Sequence, residues 1–320
     1  MKSGHIQLSV VIPIYNEQGN ITLLDSELKE ALQAIKRSCE VIYVNDGSTD
    51  GSLGDLKALG GVTVIDLNRN YGQATALDAG FKAAQGEIVV SLDGDGQNDP
   101  RDIAKLLQKL ESEQLDVVAG WRKYRRDRRQ IRVLTLIGRA LRKLFIGDIV
   151  HDSGCTLRVY RREAVKSLDL QGEMHRYILA LLKWKGFRIG EMVVTDRARI
   201  HGTSKYGMSK MFRGFIDLIY IWFISKYSQR PLHIFGYMSA TSFIFGLAAG
   251  CWSIYGKLAM GLSVNRNGWF LVAFFFLLAS VIFFSFGIVI DLLIRIQLTM
   301  SPHEKRYYVR EVIVTDSKKT

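Results

Sequence analysis

Three apolar, β-branched runs in the first hundred residues each stop abruptly at acids, asparagines and glycines. Residues 8–15 run into Asn16-Glu17, residues 41–44 into Asn45-Asp46-Gly47-Ser48, and residues 88–92 into Asp93-Gly94-Asp95-Gly96-Gln97. Unbroken apolar runs of this length read as strands covered on both faces. Helix-length segments lie between them. Residues 20–36 put Ile21, Leu24, Leu28, Leu32 and Ile35 on one face, residues 73–84 are rich in alanine, and residues 100–110 carry a proline near the first turn. Two more strands are expected at 62–67 and 116–119. The alternation predicts an α/β fold with a mainly parallel sheet and right-handed crossovers, which brings the loops after the strands to one edge. Ligands bind at that edge in open α/β sheets.

The acidic loops carry the first chemical signal. Asp93 and Asp95, joined by Gly94 and followed by the amide of Gln97, form a hard-oxygen set suited to Mg²⁺ or Mn²⁺, and such ions usually accompany a phosphate substrate. Asp46 is placed to accept from either a base N–H or a ribose hydroxyl. Tyr15 is placed either to stack or to hydrogen-bond, and Glu17 is either a site acid or an acid at a helix N-terminus. No G-x-G-x-x-G follows the first strand, which points away from a dinucleotide.

The formal charge of +12 favours an anionic partner. Cys39, Cys155 and Cys251 are far apart and lack zinc-site spacing, so they read as reduced thiols. The polar start of the chain lacks the apolar core of a secretory signal, which predicts an intracellular catalytic half.

Read in order, Ser9-Val-Val-Ile-Pro-x-Tyr-Asn-Glu17, Val44-Asn-Asp-Gly-Ser48, Asn68-x-x-x-Gly72 and Asp93-x-Asp95-x-Gln97 resemble the nucleotide-sugar half of glycosyltransferase family 2, with its GT-A fold. Within that family the chain is similar to the polyprenyl-phosphate glycosyltransferases, including the dolichol-phosphate mannose synthase and undecaprenyl-phosphate transferase groups. The resemblance implies inverting, metal-dependent transfer from a nucleotide-diphosphate sugar. It places Pro13, Tyr15, Glu17, Val44 and Asp46 around the nucleoside, Asp95 and Gln97 on the metal, Asp93 on the metal or ribose, and Gly94 among the residues that bind the nucleotide sugar. Arg122, Arg199 and Lys205 then meet the diphosphate, and Asp152 lies near the reacting centre together with Asp95. Residues 199–207 join two cations to glycines and hydroxyls, a composition suited to closing over a diphosphate. Arg158 is expected to pair with a carboxylate or to bind the acceptor phosphate, and the His175-Arg176 pair is either site-facing or structural. The absence of Q-x-x-R-W points away from a processive synthase.

The second half reads as membrane-bound. Residues 234–256 and 269–290 are uncharged, largely apolar stretches of about 22 residues, long enough to span a hydrocarbon layer. Cations flanking them predict that both termini face the cytoplasm, at the inner membrane of a bacterium. Residues 133–146 set Leu134, Ile137 and Leu141 against Arg139, Arg142 and Lys143, the pattern of a cationic helix lying on a membrane surface, and residues 211–223 read as a second interfacial helix. The basic, aromatic run 121–132 is compatible with single-stranded nucleic acid, but no recognition module accompanies it, so no nucleic-acid partner is expected.

The expected organisation is a catalytic GT-A domain over 1–208, an interfacial linker over 209–232, a two-helix hairpin over 233–295 and a cytoplasmic tail over 296–320. The expected partners are a nucleotide-diphosphate sugar, a polyprenyl phosphate and the lipid bilayer, with further copies of the chain as an open possibility for the apolar helices. UDP-glucose is the first expectation for the donor, with aminoarabinose, mannose and N-acetylhexosamine behind it. The competing readings are transfer to another lipid or glycan acceptor, and a membrane-anchored sensor that binds nucleotide sugar without turnover.

Overall fold

The computed structural model describes residues 6–123, 150–170, 172–197, 222–223, 231–261, 268–299 and 309–315. They form two compact units, one made of residues 1–219 with 305–320 and the other of residues 220–304.

The first unit is built on an eight-stranded sheet of order β7-β5-β6-β4-β1-β2-β3-β8. Strands β1 (Leu8–Ile14), β2 (Cys39–Asn45), β3 (Thr63–Leu67) and β4 (Ile88–Ser91) are mutually parallel, and β5 (Val117–Trp121) pairs in parallel with β7 (Ile189–Val193). Strands β6 (Arg158–Arg161) and β8 (Val309–Val314) are antiparallel to their neighbours. This is the mainly parallel sheet expected from the alternation of runs.

Period-two alternation sorts the side chains of β1 to the two faces. Leu8, Val10, Ile12 and Ile14 pack with Ile21, Leu24, Leu28 and Leu32 of α1 (Ile21–Ile35) and with Ile103, Leu106 and Leu110 of α4 (Asp102–Ser112). Val11 faces the other way, toward α3 (Gln73–Ala83). Each such aliphatic side chain, fully buried, contributes roughly 1.5–3 kcal/mol. The short α2 (Ser52–Ala58) links β2 to β3, while α5 (Arg162–Lys166) and α6 (Ile178–Trp184) complete the second layer. Strand order reverses between β1 and β4, so the crevice at the topological switch point opens beyond these two strands.

Three of these strands were not expected. β6 and β7 follow the point where the sequence reading closed the sheet, and β8 lies within what was read as a tail. β8 pairs with β3 from Thr63↔Val314 to Asp66↔Glu311. The return of the chain to the first sheet after both apolar helices is therefore an architectural feature, not a loose end.

The second unit is an antiparallel pair of long helices, α7 (Pro231–Met260) and α8 (Gly268–Thr299). Ser239 and Ser280 hydroxyls meet at 3.1 Å, and the Phe245 and Phe276 rings lie 5.8 Å apart. The spans Leu232–Ala259 and Gly268–Leu293 are long and apolar enough to cross a membrane, and only 22% and 17% of their most apolar windows are buried within the protein. A soluble core helix would be mostly buried, so this exposure, with Phe274, Phe275, Val281 and Leu293 facing outward, is that of a pair solvated by lipid. The expected surface helix at 133–146 and most of the interfacial linker at 209–232 lie outside the described residues.

Candidate active site

A cavity of about 270 Å³ opens at the switch point. Pro13, Ile14, Tyr15 and Glu17 line it after β1, Asp46 after β2, Asn70, Gly72 and Gln73 at the start of α3, and Asp93, Gly94 and Asp95 after β4. Four chain segments thus converge, the three loops after β1, β2 and β4 that the sequence reading brings to one edge and the start of α3, which it does not. A larger groove of about 460 Å³, lined by Arg37, Glu111 and Arg161 among others, lies at the opposite ends of the strands, away from all of these residues.

Close backbone approach makes the cavity. A Cβ on Gly94 would stand 2.4 Å from Ile14 Cδ1 and 3.3 Å from the Pro13 carbonyl, so a side chain there would make the buried Ile14 side chain shift where the acidic loop lies against the end of β1. Gly47 has φ +63°, and a Cβ there would sit 2.3 Å from the Arg69 backbone, which fixes the β2 loop against the segment leading to α3.

Asp46 ties these segments together. Its Oδ1 accepts the Tyr71 amide at 2.8 Å and its Oδ2 the Gly72 amide at 2.9 Å. Burial raises its pKa, against the lowering effect of these two amides. The carboxylate therefore shapes the cavity wall, and each oxygen keeps a lone pair for a further donor. Tyr15, 46% exposed, lines the opening. Val44 has a different place: it is fully buried in the core against α3 and does not line the cavity. Glu17 lines the cavity and accepts from the Asn20 side-chain amide at 2.7 Å, and it lies ahead of α1, whose first turn carries no acid.

Asp93 accepts from the Gln73 amide at 2.7 Å, a contact that nothing in the alanine-rich helix pattern announces. Burial first, and then the Asp95 carboxylate, push its pKa up to about 6, against the Thr156 hydroxyl, Arg122 and Arg158. Asp95 is 6% exposed, and its Oδ1 accepts the Gln97 amide at 3.1 Å. Two close carboxylates that resist joint ionisation fit a divalent cation. No three His, Cys, Asp or Glu side chains converge on a preformed metal cage among the described residues. That donor set suits an ion held by one or two carboxylates, with substrate phosphates and water completing its shell, as Mg²⁺ commonly is.

Beside the cavity, Arg122 and Asp152 form a bidentate pair: Nε to Oδ2 at 2.8 Å and Nη2 to Oδ1 at 3.2 Å. The side chains are 10% and 13% exposed. Burial disfavours the arginine's charge, but the Asp152 carboxylate more than offsets this and raises its pKa. The preceding residues of each segment also meet, Trp121 stacking on His151 with ring centroids 4.3 Å apart, while His151 Nδ1 contacts Glu191 at 2.7 Å. Sequence reading named Arg122 and Asp152 but not their pairing.

Arg158 pairs with no carboxylate among the described residues. It is 2% exposed and donates to the carbonyls of Cys155 at 2.7 Å, Ser153 at 2.6 Å and His175 at 3.4 Å, so it holds the 152–155 loop from beneath. His175 lies in a 3₁₀ turn (Met174–Tyr177) ahead of α6, its buried Nδ1 without a hydrogen-bond partner among the described residues. Arg199 and Lys205 lie outside the described residues. The segment that leads to them is fixed at the acidic loop: Asn98 bridges Asp196, the Arg197 amide donates to the Gln97 carbonyl at 2.9 Å, and Arg197 also pairs with Asp99 at 2.7 Å and Glu27 at 2.6 Å. Burial pushes the Asp99 pKa up, but hydrogen bonds from the Arg101 side chain and amide, and then from Arg197, hold it down to about 2.

Residues 9–169, half of the chain, match the model of glycosyl transferase family 2. The chain belongs to this family. Among relatives of this family 2 member, the dodecaprenyl-phosphate galacturonate synthase of Rhizobium johnstonii is 35% identical over 91% of this chain and 88% of its own. The undecaprenyl-phosphate 4-deoxy-4-formamido-L-arabinose transferase of Shewanella sediminis is 30% identical over 98% and 94%. Glucosyl-3-phosphoglycerate synthase of Mycobacterium tuberculosis, solved with Mn²⁺ and UDP, shares the fold with a TM-score of 0.54 at 20% identity, over 69% of this chain and 80% of that one. The family 2 chain is thus a membrane-associated enzyme that transfers a sugar to a polyprenyl phosphate.

Proposed function

We propose that this enzyme transfers a hexosyl group, galacturonosyl ahead of glucosyl, from its UDP derivative to a polyprenyl phosphate with inversion at the anomeric carbon. The observation that carries the donor site is the convergence of Tyr15, Asp46, Asp93 and Asp95 on one cavity at the switch point. The galacturonate synthase at 35% identity supports the sugar, whereas glucose, the first expectation from the sequence, has support only from neighbours whose likeness extends to the fold.

In this reading Pro13, Tyr15, Glu17 and Asp46 surround the nucleoside. Asp95 and Gln97, with Asp93, would hold Mg²⁺ or Mn²⁺, which when bound supplies positive charge against the departing diphosphate. An oxygen of the lipid phosphate attacks the anomeric carbon, the bond from that carbon to the diphosphate breaks, and its electron pair leaves on UDP. A phosphate monoester with a second pKa near 6 is already largely dianionic at neutral pH, so the site needs no strong base. Arg122 uses Nε and Nη2 for Asp152. Its Nη1 is the donor available to a phosphate oxygen, and Asp152 orients that guanidinium next to the acceptor. Arg199 and Lys205 supply further cations, on a segment whose start is tied to Gln97.

The domain scheme follows: a catalytic unit, a linker, a membrane hairpin, and a C-terminal segment that rejoins the catalytic sheet. Two crossings followed by β8 pairing with β3 support both ends of the hairpin lying on the catalytic, cytoplasmic side of a bacterial inner membrane. The test is a donor panel. Purified full-length protein with undecaprenyl phosphate should give a lipid-linked hexuronate from UDP-galacturonate. Faster transfer from UDP-glucose would overturn the sugar assignment, and a product carrying several sugars would overturn single transfer.

A further inference from the structure

We propose that β8 is a positioning element for the nucleotide loops, acting through Arg310. The inference rests on reading the switch-point cavity as the nucleotide site.

The register of the β3–β8 ladder shifts between Asp66↔Glu311 and Leu67↔Val309, which leaves Arg310 as the extra residue of a bulge. Bulges re-aim side chains, and Arg310 is directed at both loops that frame the nucleoside side of the cavity. Its Nη2 donates to the Asn68 carbonyl at 3.0 Å. Its Nη1 lies 3.6 Å from Asp66 Oδ2, on a carboxylate that is 2% exposed.

Each contact leads to the cavity in one further step. Asn68 opens the segment that contributes Asn70 and Gly72 to the wall, and its side chain accepts the Tyr71 hydroxyl at 2.8 Å. Asp66 Oδ1 accepts the Asn45 amide at 2.7 Å, and Asn45 immediately precedes Asp46. Asp46 closes the circuit by accepting the amides of Tyr71 and Gly72. One guanidinium from a strand downstream of the membrane helices therefore braces both sides of the Asp46 clamp.

Arg310 is itself 60% exposed, so its pair with Asp66 adds little to global stability. Its consequence is preorganisation: loops held in the binding geometry do not lose that freedom again when ligand arrives. Lys57 provides an internal control. It ties Glu311 of the same strand at 3.1 Å and, among the described residues, makes no hydrogen bond or ion pair to either loop.

The test measures UDP and GDP binding by calorimetry to the full-length protein in nanodiscs, with thermal unfolding and hydrogen exchange on the same samples. Arg310→Ala should weaken binding of the preferred nucleotide on the order of tenfold, within the usual range of coupling between sites. It should raise KM for the nucleotide sugar with little change in kcat, and speed exchange at amides 68–72. Arg310→Lys should recover part of the affinity, and Lys57→Ala should bind as wild type. Binding by Arg310→Ala within twofold of wild type overturns the inference, as does an equal loss in Lys57→Ala. Wild-type protein that binds neither nucleotide overturns the reading of the cavity, and this inference with it.

Discussion

Removing Asp152 should destabilise the catalytic unit before it says anything about catalysis. Asp152→Ala leaves the Arg122 guanidinium, 10% exposed, without its bidentate partner. Breaking a buried pair from one side costs roughly 3–5 kcal/mol, because a charge stays buried without compensation. In a domain of this size each kcal/mol moves the midpoint by roughly 2–4 °C, so a fall of about 10 °C is expected. Arg122→Met combined with Asp152→Leu removes both charges and should recover most of that loss, since an apolar pair of similar volume substitutes for a buried ion pair at little net cost. Near-UV circular dichroism of the purified full-length protein follows the transition of the catalytic unit. The double variant should be stable and still inactive in sugar transfer. A midpoint for Asp152→Ala within 2 °C of wild type would refute the buried-pair reasoning, and a stable double variant with full turnover would refute any part for the pair in transfer.

Gly94→Ala forces a Cβ to within 2.4 Å of Ile14 Cδ1, so it should cost roughly 1–3 kcal/mol by overpacking and lower transfer by shifting Asp93 and Asp95, as read from unfolding and turnover together. His175 gives a pH dependence. Burial, followed by Arg176 and Arg158, lowers its pKa from 6.5 to about 3. Between those values the unfolded chain binds the extra proton and the folded protein does not, so this stabilisation is complete above pH 6.5 and is lost as pH falls. Wild type should lose roughly 2 kcal/mol more than His175→Gln between pH 7 and pH 5 in denaturant titrations, and parallel curves would contradict the assignment.

Most of what the sequence made legible is local. Strands β1 to β4 announce themselves because apolar runs end in Asp, Asn and Gly, and the α1 face is read directly from Ile21, Leu24, Leu28 and Leu32. The cavity acids were legible for the same reason, since each sits one or a few residues beyond a strand. What escaped depends on pairing across distance. β8 finds β3 some 245 residues upstream, and its Val-Arg-Glu-Val-Ile-Val pattern lacks the continuous apolar run of a central strand because it lies on the sheet edge. Arg122 and Asp152 look like two separate charges until the fold opposes them, and Arg158 looks like a ligand cation until it is found beneath a loop, bound to carbonyls. Val44 shows the converse limit, for a residue beside a site acid can point wholly into the core.

The most direct test of the account is the mass of the product formed by purified full-length protein from undecaprenyl phosphate and UDP-galacturonate, with Mn²⁺ or with a chelator, for wild type and Asp95→Ala. The account predicts one lipid-phosphate-linked hexuronate with wild type and metal, and none with the chelator or with folded Asp95→Ala. The same product from chelated wild type, or from Asp95→Ala at an undiminished rate, would contradict it.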